Sequence, residues 1–139
     1  MKVFILGYGW LGKYLHELLE KKGNQIAVTS RNSEKVDELN KNGIHAIECN
    51  QANYFIPEKI PFLPDFVIHS IPPAKDPEGY KDWCLYFLGI QSFLENSGCT
   101  PHWIHMSSSG IYPDLPGYWD ETYEINPENS RQLYLSLHE

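Results

Sequence analysis

Gly7, Gly9 and Gly12 stand at the spacing G-x-G-x-x-G within Gly7-Tyr8-Gly9-Trp10-Leu11-Gly12. Glycines so placed suit one task, which is to bring backbone amides close to phosphate oxygens. Gly7 permits a tight turn, Gly9 lets the backbone approach a pyrophosphate with no Cβ in the way, and Gly12 lets a following helix lie close to the preceding strand. Tyr8, Trp10 and Leu11 complete the loop, and the amides of a helix starting there face the phosphates, where the helix dipole favours negative charge. The spacing gains weight only if a strand precedes it and a helix and second strand follow.

Two further groups of residues carry chemistry. Thr29-Ser30-Arg31-Asn32 occupies the place where an acidic residue would hold both ribose hydroxyls of an adenosine. A carboxylate there would repel a 2′-phosphate, whereas the Arg31 guanidinium can pair with one and the Ser30 hydroxyl can donate to it, so the segment favours NADP over NAD. The alternative is that Arg31 is a solvated loop cation. The second group is Ser107-Ser108-Ser109-Gly110-Ile111-Tyr112. Its hydroxyls either polarise a reacting oxygen or cap a turn through local backbone bonds.

The elements around these residues follow from periodicity. Met1 to Leu6 is a short apolar run that suits a strand buried on both faces. Leu11, Leu15, Leu18 and Leu19 mark one face of a helix over Leu11 to Lys22, stopped by Gly23. Gln25 to Thr29 reads as the second strand, Ser33 to Asn42 as a helix with Val36 and Leu39 inward, and Ile44 to Glu48 as the third strand. Pro57, Pro61 and Pro64 argue for an irregular crossover to a fourth strand, Asp65 to Ser70. Tyr80 to Ser97 puts Trp83, Phe87, Ile90 and Leu94 on one helical face, and His102 to Met106 makes the fifth strand. A helix begins at Ser130. Strands alternating with helices imply an α/β, Rossmann-type doubly wound parallel sheet of order 3-2-1-4-5, forming a single domain over residues 1–139.

Bulk properties narrow the partners. The chain has 139 residues, 42% of them apolar, and 18 acidic against 11 Lys plus Arg give a net charge of -7. That balance argues against nucleic acid and anionic membranes as partners. No apolar run reaches spanning length. Cys49, Cys84 and Cys99 show neither C-x-x-C nor zinc spacing, so no metal is expected and reduced thiols in a cytoplasmic protein are the simplest reading. His102 and His105 fall on opposite faces of a strand and cannot share a metal. His69 reads as a core or cofactor-proximal imidazole. If the fifth strand is the last of the sheet, its outer edge presents unpaired backbone groups and so a route to self-association.

The glycine loop, the fourth strand Asp65 to Ser70, and the run from Ser107 to Tyr112 followed by Trp119-Asp120-Glu121 together resemble the short-chain dehydrogenase/reductase superfamily. The likeness is to its extended branch of NAD-dependent epimerases and dehydratases. It spans essentially the whole chain and implies an NAD(P) cofactor and a small-molecule substrate. It implies cofactor contacts from Asn50, from Ser70, Ile71 and Pro72 after the fourth strand, and from Ser107 after the fifth. It also implies that Ser108, four residues before Tyr112, polarises the reacting carbonyl or hydroxyl, with Tyr112 beside the substrate.

One departure matters. The extended enzymes carry Tyr-x-x-x-Lys on the next helix, where lysine lowers the pKa of a tyrosine acting as general acid/base. Aligning Pro127 and Glu139 with their family positions puts Arg131 and Leu135 in those places, while a shifted register offers only Tyr134 with His138. This loss resembles the atypical branch, in which an arginine stands near the lost tyrosine, and makes Arg131 a candidate anchor for an anionic substrate. The resemblance further implies that the chain stops before a substrate-binding region. Two classes of function follow, an NAD(P)-dependent oxidoreductase or epimerase and a catalytically silent dinucleotide-binding or redox-sensing module.

Overall fold

A computed structural model of the chain describes residues 1–49, 59–72, 77–106, 116–118, 120 and 122–124. Its elements run β1 (Lys2–Leu6), α1 (Trp10–Glu20), β2 (Gln25–Ser30), α2 (Ser33–Lys41), β3 (His45–Glu48), β4 (Phe66–His69), α3 (Pro77–Asn96) and β5 (His102–His105). The chain divides into two compact units. The first is Met1–Ile71 with Cys84–Met106, and the second is Pro72–Trp83 with Ser107–Glu139.

The first unit holds a parallel sheet of order β3-β2-β1-β4-β5, as the alternation of strands and helices requires. β1 lies at its centre, and Phe4, Ile5 and Leu6 are wholly buried because side chains leave both faces into packed layers. Val3 and Ile5 join Ile26, Val28, Val36 and Leu39 on the side of α2, with Leu15 and Leu19 of α1 against them. Phe4 and Leu6 join Val67, Ile90 and Leu94 on the side of α3. Each such side chain contributes roughly 1.5–3 kcal/mol through burial.

Most element boundaries differ from the sequence expectation by one to three residues, and two of the differences have a plain physical reason. β2 extends to Ser30, because its register with β3 carries Ser30 opposite Glu48. α3 begins at Pro77 rather than Tyr80. A proline at the start of a helix lacks only an N–H that has no intrahelical partner there, so Pro77 opens the helix. The crossover before β4 lies outside the described residues up to position 58, and 59–65 hold neither α-helix nor strand. The helix expected from Ser130 also lies outside them.

The two edges of the sheet are finished differently. On β3, Asn40 Nδ2 donates to the Ala46 carbonyl and Asn40 Oδ1 accepts from the Ala46 N–H, both at 3.0 Å. The carboxamide thus takes the place of one residue of a neighbouring strand. On β5, His102 N donates to Asp65 O and Met106 N to His69 O, so the intervening odd-numbered residues turn their backbone groups outward. Among the described residues β5 is the edge strand on this side of the sheet, and Ile104 and Met106 are exposed there.

In the second unit, Asp120 organises a turn by accepting from the Thr122 N–H at 2.9 Å and from its hydroxyl at 2.6 Å. These bonds hold the Asp120 carboxyl below its usual range. Among the described residues no helix is long and apolar enough to cross a membrane, and no group of three His, Cys, Asp or Glu could hold a metal.

Candidate functional site

The carboxyl ends of β1, β2 and β4 meet at the glycine loop, and each holds it by a different bond. Thr29 of β2, almost wholly buried, accepts the Gly7 N–H on its hydroxyl at 2.9 Å and the Tyr8 N–H on its carbonyl at 2.7 Å. Ser70, just after β4, shares its hydroxyl between the carbonyls of Leu6 at 3.0 Å and Gly7 at 3.1 Å. Gly7 itself has φ +102°, and a Cβ there would lie 2.9 Å from Ile71 Cγ1. Both the conformation and the space demand glycine.

Gly12 is required for a separate reason. A Cβ on it would overlap the Gly7 carbonyl oxygen, so the end of β1 and the start of α1 touch backbone to backbone. Gly9, between them, caps α1 with φ -80° and ψ -162°, and no side chain accepts from the first turn. The first turn holds no acidic residue either, and the Lys13 N–H is the one that bonds back to the Gly9 carbonyl at 2.9 Å. The amides of Trp10, Leu11 and Gly12 precede the first intrahelical donor, the Lys13 N–H. Among the described residues nothing lies within 4 Å of a Cβ position on Gly9. A helix start with no side-chain cap and no acidic residue fits an anion such as a pyrophosphate.

Tyr8 has a role the motif alone does not reveal. Its side chain is buried, edge-on to His16 with ring centroids 5.7 Å apart. Its carbonyl accepts from Lys35 Nζ at 2.7 Å, and the same ammonium lies 5.1 Å from the centre of its ring. Burial, then the charges of Glu17 and Glu20, raise the Tyr8 phenol above its ordinary pKa, so it stays protonated. Tyr8 supports the loop from below, with its N–H bonded to Thr29.

The chain becomes exposed just after β2, at Arg31 and Asn32, while Ser30 is half-buried. Ser30 Oγ accepts weakly from the Asn32 N–H at 3.4 Å, and Arg31 is exposed beyond it. Asn32 caps α2 by accepting from the Lys35 N–H at 2.9 Å. Among the described residues the ion pair is Lys13 with Glu17, and neither Arg31 nor Lys35 faces a carboxylate at that range. Lys35 escapes sequence reasoning because it reads as an ordinary polar position of α2. Its four-residue distance from Arg31 was the available signal.

Other expected site residues are less directly placed. Trp10 is exposed and Leu11 half-buried at the start of α1, Ile71 packs against the core on the α3 side, and Pro72 is exposed. Asn50, Ser107, Ser108, Tyr112 and Arg131 lie outside the described residues, as do Tyr134, Leu135 and His138. His69 is a core imidazole, as its run of apolar neighbours suggests. It stacks on His105 with centroids 4.6 Å apart and Nδ1 atoms 3.0 Å apart, because parallel register sets the last residues of β4 and β5 side by side. Cys49 and Cys99 are free thiols, and burial raises the pKa of both.

Comparison with known proteins places this geometry. Residues 3–60 match the TrkA-N domain family. The fold matches UDP-glucose 4-epimerase from Thermus thermophilus, solved in complex with NAD, with TM-score 0.74 and 20% identity over 99% of this chain and 48% of that one. It matches a short-chain dehydrogenase/reductase superfamily protein from Agrobacterium tumefaciens with bound NAD, with TM-score 0.73 and 14% identity over 99% of this chain and 43% of that one. UDP-N-acetylglucosamine 4-epimerase from Bacillus cereus gives TM-score 0.70 and 16% identity, over 99% of this chain and 51% of that one. At these identities the likeness establishes the fold. The chain spans about half the length of these structures.

Proposed function

We propose that this chain is the dinucleotide-binding portion of an epimerase/dehydratase-like member of the short-chain dehydrogenase/reductase superfamily, with NADP as its preferred cofactor. The observation that carries the reading is the uncapped start of α1 at Gly9, open to anions at the carboxyl edge of the sheet. In open α/β sheets that edge is where nucleotides bind. Solved structures of the same fold were obtained with NAD.

The preference for NADP rests on the end of β2. The segment Thr29 to Asn32 itself carries no carboxylate, and among the described residues Arg31 is exposed and makes no ion pair. The Gly9 to Gly12 amides would hold the pyrophosphate, with Ser30 and Arg31 on the 2′-phosphate. When bound, the nicotinamide would supply hydride exchange. Ser108 would hydrogen-bond the substrate oxygen, Tyr112 would lie beside the substrate, and Arg131 would anchor an anionic group. A silent binding module is the second reading, favoured by the absence of Tyr-x-x-x-Lys around Arg131.

Titration calorimetry with NADPH and NADH tests the cofactor assignment. NADPH is expected to bind at least tenfold more tightly. Equal affinity, or tighter NADH, overturns the preference, and binding of neither overturns the dinucleotide reading itself.

A further inference from the structure

We propose that a cavity at the amino edge of the sheet, opposite the edge that carries the glycine loop, binds a free α-amino acid between the Lys2 ammonium and the Glu20 carboxylate, with the buried His16 imidazole as a third contact. The case is independent of the dinucleotide reading.

β1, β2 and β3 begin side by side, because parallel register sets Lys2 beside Gln25 and Ala27 beside His45. Lys2, Gln25 and His45, at these three strand starts, line a cavity of about 380 Å3 together with His16 and Glu20 of α1 and Asn24 just before β2. That volume lies within the range of small-molecule sites. Half-buried Ile44 and Phe62 give it apolar wall.

His16 is the observation that points to a ligand. It is 3% exposed, and its Nδ1 is buried with no hydrogen-bond partner among the described residues. The ring is held against Tyr8, with centroids 5.7 Å apart. An apolar residue would fill this position of α1 without an orphaned nitrogen. An unpaired polar atom in such a place is costly, and a ligand that supplies its partner removes the cost.

The charges specify the ligand's chemistry. Lys2 and Glu20 line one cavity, yet among the described residues the ion pair is Lys13 with Glu17, so the two do not meet each other. Opposite charges that share a cavity without touching leave a gap between them. A molecule with a carboxylate and an ammonium on one carbon bridges that gap, whereas a simple anion also meets Glu20 and a simple cation also meets Lys2. Asn24 adds an acceptor. Its Nδ2 is committed to the Leu19 carbonyl at 2.8 Å, which leaves Oδ1 for the ligand.

The test screens the chain against each common free amino acid by thermal melt and follows the largest stabilisation by titration calorimetry. The titration is repeated with the matching acid that lacks the amine and the matching amine that lacks the carboxylate. At least one amino acid is expected to raise Tm, and both analogues to bind tenfold or more weakly. Lys2→Met and Glu20→Gln, at exposed positions, should each weaken binding tenfold or more while leaving the ligand-free Tm unchanged. His16→Phe keeps an aromatic ring beside Tyr8 and removes the orphaned nitrogen. It should raise the ligand-free Tm and still weaken binding tenfold or more, a combination that a merely structural imidazole does not produce. If His16→Phe fails to fold, the Lys2 and Glu20 variants decide the matter. No shift in Tm with any amino acid overturns the inference. So does binding that survives both Lys2→Met and Glu20→Gln, or an acid or amine that binds as tightly as the amino acid.

Discussion

α1 and α2 both begin just after the carboxyl end of a parallel strand, yet their first turns are finished in opposite ways. Asn32 closes α2 with its own side chain, and Glu34 adds a carboxylate to the positive end of the helix. α1 opens at Gly9 with neither a capping side chain nor an acidic residue. A side-chain cap is worth about 1 kcal/mol, and α1 forgoes it. The difference teaches which helix needs nothing further and which is left to be completed by an anion. It also explains why the open helix is braced from outside, by Thr29, Ser70 and Lys35 acting on Gly7 and Tyr8.

The largest expected effect comes from removing the geometry that lets α1 start where it does. Gly12→Val drives a branched side chain into the Gly7 carbonyl, and overpacking of that kind costs roughly 3 kcal/mol or more. Circular-dichroism melts should show a large drop in Tm, and dinucleotide titration should show no binding. A variant that melts and binds as the wild type does would mean that the backbone contact does not set the loop.

Gly9→Asp should make α1 resemble α2. The backbone at Gly9 lies in a region open to any residue, and the space is free, so the carboxylate can cap the first turn. Stability should rise by a few tenths to about 1 kcal/mol, while NADPH and NADH both lose at least tenfold in affinity through charge repulsion. The two readouts move in opposite directions. If affinity were unchanged, the open turn would not be the phosphate site.

The smallest effect is the converse change. Asn32→Ala opens α2 and should cost about 1 kcal/mol in a denaturant melt, with NADH affinity altered less than twofold. A drop in NADH affinity as large as that from Gly9→Asp would erase the distinction between the two helix starts.

Much of this was legible in local pattern. The order of strands and helices follows from apolar runs, from helical spacing in Leu11, Leu15 and Leu19, and from the right-handed crossovers that leave few topologies. The glycine loop was legible because each glycine answers a local demand of the backbone. The start of α3 at Pro77 lies ahead of the first apolar position of its face, and a proline is tolerated there because the first turn needs no N–H from it.

The braces were not legible. Thr29 under Gly7 and Tyr8, Lys35 on the Tyr8 carbonyl, Asn40 across the edge of β3, and His105 against His69 all join residues whose partners are chosen by strand register or by the path of the chain around it. A threonine inside a β-run and a lysine inside a helix look ordinary until the sheet closes.

The sequence by itself therefore determined where phosphate-facing glycines stand and which elements flank them, because periodicity and turn chemistry act over a few residues. Only the tertiary structure decided that the start of α1 is left uncapped and held by three distant side chains. It also decided that a second cation, Lys35, lies beside the loop, because β1, β2 and α2 meet there only once the parallel sheet has set its register.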